Sequence, residues 1–263
     1  MGSATREALA GTRAQLASLD RATLPVAEDL LAAGRVIGAT SQLRGAFTDA
    51  EAGAVQKRAL AEAVFGGRIS ADAITLLVGA ASNRWSSAGD FLAAVEQLGI
   101  RVAAAAAGDA AIDAELFAFE RTVASDSELE LALGSKLGSS ESKAGVVDRL
   151  LGGKADPATV AIVRHLVQAP RGRRIGEMLR SAAATVADER GFGVATVTSA
   201  VPLTADQLTR LERSLTAQTG RSIRLDAIVD ASVIGGIRVQ LGDDVIDGSV
   251  ASRLSSLRQK LAG

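Results

Sequence analysis

Cysteine is absent from the 263-residue chain, and so is tyrosine. The first absence removes disulfides, thiolate metal sites and cysteine nucleophiles together, and it fits a reducing compartment. Histidine occurs once, as His165, so histidine-dependent triads and multi-histidine metal sites have little to build on. Aromatic residues make up 3% of the chain, too few for base-stacking platforms. A net charge of -1 gives no electrostatic reason to bind nucleic acid. No apolar run reaches the length of about 18 residues that spans a bilayer, and the N-terminus has no signal-peptide core. A membrane role is therefore expected only through a partner.

What is present is mostly helix-forming. Hydrophobic residues make up 48% and charged residues 22%, a globular balance. Alanine and leucine dominate residues 1 to about 190, and both favour helix. Pro25, Pro157 and Pro170 are the only prolines there, each expected near a helix start.

The helical part repeats. "SQLRGAF" (41–47) with "VQKRALAEAVFGGRISADAITLLV" (55–78) aligns without a gap on "SELELAL" (127–133) with "ESKAGVVDRLLGGKADPATVAIVR" (141–164). Lys57 pairs with Lys143, Phe47 with Leu133, and Gly66-Gly67 with Gly152-Gly153. The Gly-Gly is expected to end a helix in a left-handed turn. Ser70 and Asp156 are expected to cap the next one. Val160, Val163 and Val167 share an apolar face, as do Ile74, Leu77, Val78 and Ala81.

Beyond Phe192 the texture changes. "GVATVTSAV" (193–201) alternates as a strand. "PLTADQLTRLERSLTAQTG" reads as a helix capped by Thr204 and Gln207 and stopped by Gly220. "SIRLDAIVD", "GIRVQL" and a short "VID" read as further strands. A terminal helix is expected to carry Val250, Leu254, Leu257 and Leu261 on one stripe. The fold expected is mainly α. A duplicated helical unit (1–108 and 109–190) precedes a small α+β domain (191–263).

The search for chemistry is mostly negative. "GGKADP" lacks the residues and spacing of a phosphate loop, "GFGVAT" is followed by a strand where a dinucleotide fold needs a helix, and no Gly-x-Ser-x-Gly elbow occurs. No catalytic residue, cofactor or metal is expected. Asp226, Asp230, Asp243, Asp244 and Asp247 read as turn and cap residues, with Asp247 and Ser249 capping the terminal helix; a calcium site is the alternative. His165 reads as a packing or solvent-facing residue in a helix, with catalysis as the alternative. Trp85, the only tryptophan, is either a partly buried core residue at a helix junction or an interface anchor. The arginines of "RGRRIGEMLR" (171–180) either solvate a first helical turn or bind phosphate.

"DASVIGGIRVQLGDDVIDGSVASRLSSLRQKL", with the strand and helix of 195–215 and "LLGGKADPATVAIVRHLVQAPRGRRIGEML", resembles the delta subunit of F-type ATP synthases, known in mitochondria as the oligomycin-sensitivity-conferring protein. The likeness runs from about residue 115 to 263. The signature residues are Ile234, Gly235, Gly236, Asp247, Gly248 and Ser249. The family's usual member is shorter and has one helical domain, so the duplication resembles the long actinobacterial form.

The resemblance implies a non-catalytic stator at the cytoplasmic face of the bacterial cell membrane, one copy per complex. Its helical bundle would hold N-terminal segments of the alpha subunits, with the helices carrying Val160, Val163, Val167 and Trp85 as head-contact candidates. Its C-terminal module would grip the b subunits of the peripheral stalk. Gly235 and Gly236 would then shape the sheet that carries the stalk contact, or form a simple bulge. A stand-alone helical adaptor is the competing reading.

Overall fold

The computed structural model describes residues 2–17, 19–135, 138–231, 233–241 and 244–248. Two compact units result, Met1–Val186 and Ala187–Gly263.

The first unit is helical: α1 (Ser3–Leu16), α2 (Leu24–Ala39), α3 (Ser41–Thr48), α4 (Ala54–Phe65), α5 (Ala71–Ala81), α6 (Ala88–Ala106), α7 (Ile112–Ser125), α8 (Ser127–Gly134), α9 (Ser140–Leu151), α10 (Pro157–Gln168) and α11 (Ile175–Glu189), whose end enters the second unit. The repeat is visible in these bounds. Helices α3, α4 and α5 start at 41, 54 and 71, and α8, α9 and α10 start 86 residues later, at 127, 140 and 157.

Local chemistry explains why both copies break alike. Gly66 and Gly152 follow α4 and α9. A Cβ on either would stand 2.4 Å from the carbonyl oxygen four residues back, of Glu62 or Asp148. The next glycine in each pair is left-handed, with φ 72° at Gly67 and 70° at Gly153, which costs glycine nothing. Ser70 then accepts from the Ala73 N–H, and Asp156 from the Ala158 N–H. Each cap residue is itself held by an equivalent carboxylate. Asp29 accepts the Ser70 N–H at 2.8 Å and Glu115 accepts the Asp156 N–H at 3.0 Å.

One helix serves both copies. The buried residues of α1 are Thr5, Ala8, Thr12 and Leu16. Those 86 positions on, Phe91, Ala94, Leu98 and Val102, are buried in α6. Helix α6 packs along α2 and also against α10. It thus closes the first bundle and opens the second.

Of the three prolines expected at helix starts, Pro25 and Pro157 sit in first turns. Pro170 instead follows α10, whose cap is Ala169, and α11 begins only at Ile175. Lacking an N–H, proline suits a stop as well as a start.

The second unit holds β1 (Gly193–Ser199), α12 (Ala205–Thr219), β2 (Ile223–Val229), β3 (Ile237–Leu241) and β4 (Asp244–Asp247). The sheet order is β2-β1-β3-β4, with β1 parallel to β2 and the other pairs antiparallel. Ala195, Val197, Ile223 and Val239 form a core with Leu215 of α12. Thr204 and Gln207 make the capping box, and Gly220 ends α12 at φ 71°. Asp226 corrects the turn-and-cap reading: it lies inside β2 and is buried. The expected terminal helix, with Val250, Leu254, Leu257 and Leu261, lies outside the described residues. Overall the molecule is mainly α with a small α+β C-terminal part, as its sequence pattern implies.

Candidate functional site

Two regions carry the residues singled out by sequence. The first is the connection into β3 and the strand beside it. Gly235 and Gly236 have φ 66° and 77° and precede β3, which starts at Ile237. They are therefore a left-handed turn, not a strand interior or a bulge within it. The reason is topological. The chain must leave β2, pass β1 and enter β3 on the other side. Two consecutive left-handed residues turn it there, a conformation that non-glycine residues resist. Asp230 N–H anchors the start of this crossing on Ser199 O at 2.8 Å.

Ile234 is 70% exposed, and Val245 and Ile246 of the edge strand β4 are 56% and 53% exposed. The terminal helix that Asp247 is expected to cap lies outside the described residues. Asp247 itself ends β4, opposite Arg238, whose Nη2 lies 3.3 Å from its carboxylate. Gly248 donates its N–H to Ile237 O. Ser249 lies outside the described residues.

The second region joins the two helical copies. Glu96, on α6, is buried among apolar neighbours. Arg173 grips it with two N–H groups, at 2.6 and 2.8 Å. Arg171 adds a contact at 2.7 Å, and His165 of α10 one at 3.1 Å. On its other side His165 meets Arg35 of α2, 3.1 Å from Nδ1. A guanidinium can only donate, so Nδ1 accepts and the ring proton sits on Nε2, facing Glu96.

Burial alone would raise the Glu96 pKa; the hydrogen bonds from His165 and Arg173 and the nearby arginine charges outweigh it and hold the carboxyl at about 2. Burial pushes His165 below its ordinary value; the hydrogen bond and charge of Glu96 oppose this, the charges of Arg35 and Arg171 add to it, and the net shift is downward. The imidazole is thus neutral and the carboxyl ionised at neutral pH.

This geometry decides the readings left open. His165 packs inside the bundle. Arg171 and Arg173 lie before α11 and clamp Glu96, so they neither solvate a first helical turn nor stand free for phosphate. Arg171 is the one non-glycine residue with positive φ, 49°, among the described residues. That strain of order 1 kcal/mol is tolerated because it aims the guanidinium at a buried carboxylate.

Trp85 is half-buried between α5 and α6, donating Nε1–H to Ala80 O at 2.9 Å and packing 6.1 Å from the Phe91 ring. Val163 and Val167 are buried in the bundle core, while Val160 is partly exposed.

Sequence reading passed over Glu96 and Arg35. The signal for Glu96 was present: a lone acid on the apolar stripe of Leu92, Val95, Leu98, Gly99 and Val102. A charge there needs a partner, but nothing local names it. Among the described residues no group of three or more acidic or histidine side chains is placed to hold a metal ion, and no helix is long and apolar enough to cross a membrane.

The family model described as ATP synthase delta (OSCP) subunit matches residues 100–261. The "ATP synthase subunit delta" of Leifsonia xyli subsp. xyli is 52% identical, with all of both chains covered. The protein of that name from Streptomyces griseus subsp. griseus is 38% identical, again over 100% of each chain. A chain in a cryo-EM structure of the Toxoplasma gondii mitochondrial ATP synthase hexamer superposes with a TM-score of 0.39 at 24% identity, over 58% of this chain and 87% of that one, too loosely to carry an argument.

Proposed function

Because the chain belongs to the ATP synthase delta (OSCP) subunit family, we propose that it ties the catalytic head of the enzyme to the b subunits of the peripheral stalk. At the coarser level it is a non-catalytic peripheral-stalk subunit of ATP synthase. The finer assignment is a stator. The helical unit holds N-terminal segments of the alpha subunits and the C-terminal unit holds the stalk, so the head does not turn with the rotor. One copy serves each complex, at the cytoplasmic face of the membrane, which it reaches only through partners. The observation that carries this reading is 52% identity over the full length of a delta subunit.

The division of labour follows the two units. We assign the helical copies, 1–108 and 109–190, to the head, and 191–263 to the stalk. The exposed apolar side chains Ile234, Val245 and Ile246 support a stalk contact, since exposed apolar groups are what a partner buries.

The test is a titration of the full chain against the isolated catalytic head, followed by Trp85 fluorescence and calorimetry. Saturation at one chain per head is expected; absence of binding by a folded chain would overturn the assignment. Full-length protein is required, because deleting residues 1–105 would remove Glu96 and leave Arg171 and Arg173 without it.

A second measurement addresses the stalk. Gly236→Val places a β-branched residue at φ 77°, where such residues are outliers. It should weaken binding to the b subunits at least tenfold while Gly236→Asn, which tolerates that conformation, keeps most of it. A folded valine variant that binds at full strength would remove the turn from the stalk site.

A further inference from the structure

Beside the Glu96 cluster is a cleft of about 260 Å³ between α2, α6, α10 and the loop before α11. Its apolar part comes from Leu31, Leu92 and Pro170. Gly34 and Gly38 of α2 also line it, and a Cβ at Gly38 would stand 3.6 Å from Leu92 Cδ1. Its polar groups are Arg35, Arg171, Glu96, His165 and Gln168.

The charges do not balance. Arg171 and Arg173 share the single carboxylate of Glu96, and neutral His165 also donates to it. Among the described residues Arg35 has only the neutral Nδ1 of that histidine within hydrogen-bond reach. Among the described residues no carboxylate forms an ion pair with it within 4 Å. Burial and the charge of Arg164 both lower its pKa, and Glu28 offsets them only in part. A guanidinium has five N–H groups, and among the described residues one of those on Arg35 meets an acceptor, His165 Nδ1. A partly desolvated cation beside an apolar cleft suits an anion that carries an apolar body.

We propose that this cleft binds a small amphipathic carboxylate, its head on Arg35 beside Arg171 and its aliphatic body against Leu31, Leu92 and Pro170. A phosphate without an apolar body would leave the apolar wall unused, and a cation would meet two guanidiniums, Arg35 and Arg171. Because the cleft is walled by both helical copies, occupancy ties them together and stabilises the folded chain in proportion to affinity. The test uses neither the head nor the stalk.

The experiment is calorimetric titration of the full chain with octanoate, with octylamine as a cation of equal chain length. Saturable binding of one octanoate per chain is expected, with a rise in thermal midpoint that octylamine does not give. Arg35→Met should weaken octanoate at least tenfold. Gly38→Leu, which fills the cleft from α2 and changes no charge, should abolish binding and decides the question if the arginine variant does not fold. Absence of saturable binding, equal binding of octylamine, or octanoate affinity unchanged in a folded Gly38→Leu chain would overturn the proposal.

Discussion

Glu96→Ala should destabilise the helical unit by about 3–5 kcal/mol, the usual cost of removing one partner from a buried ion pair. The carboxylate is 7% exposed and accepts from His165, Arg171 and Arg173. Its removal leaves two guanidiniums and an imidazole turned toward an apolar interior. Urea denaturation followed by Trp85 fluorescence would measure the change in midpoint. A loss below about 1 kcal/mol would mean that water already screens the cluster, as at surface pairs.

The same group gives an acid limb whose sign is fixed. The Glu96 carboxyl is held at about 2, against an ordinary value of 4.5. A depressed carboxyl contributes stability that is present above the ordinary value and lost as pH falls toward the folded one. About 3 kcal/mol should therefore disappear between pH 4.5 and pH 2. His165 adds a loss in the same direction that begins at higher pH. Its folded value is also lowered, so the unfolded chain takes up that proton first, from about pH 6.5 downward. Wild-type stability should fall in both windows, and Glu96→Gln should lack the lower one.

Phe47→Ala should cost a similar about 3–5 kcal/mol, the range for emptying a buried phenylalanine site. Phe47 is fully buried. Its ring lies 6.3 Å from Phe65 and 6.3 Å from Phe91, stacked on the latter at 13°. One side chain thus joins α3 to α4 and α6. Its counterpart in the second copy is Leu133, also buried, where Leu133→Ala should cost about 2–5 kcal/mol. Because α6 packs against both α2 and α10, either substitution should lower one shared transition. Two separate transitions in calorimetry, each moved by only one substitution, would show that the copies unfold independently.

Much of this molecule is set within a few residues of chain. Gly66-Gly67 and Gly152-Gly153 end helices because the clash with a carbonyl four residues back and the left-handed turn are local. Ser70, Asp156 and Thr204 cap helices through side chains that reach two or three residues on. The strand faces of 193–241 follow from period two. The repeat, the fold class and the family signature all rest on such patterns, and these the sequence determined by itself.

Tertiary structure decided what depends on distant partners. Glu96 and His165 are 69 residues apart in sequence, and no periodicity links them. Only helix packing makes Arg171 and Arg173 a clamp where their sequence reads as a solvated or phosphate-binding run. Asp226 and Asp247 carry the same turn-forming signal as any aspartate, yet strand pairing placed both in the sheet. Gly235 and Gly236 looked like part of a strand because β-branched residues flank them. They became a turn because the chain had to pass β1 before pairing with it from the other side. Local propensity acts over one turn of helix or one pleat, whereas burial and charge pairing are fixed by which surfaces meet, so that half of the answer existed only once the helices and strands had packed.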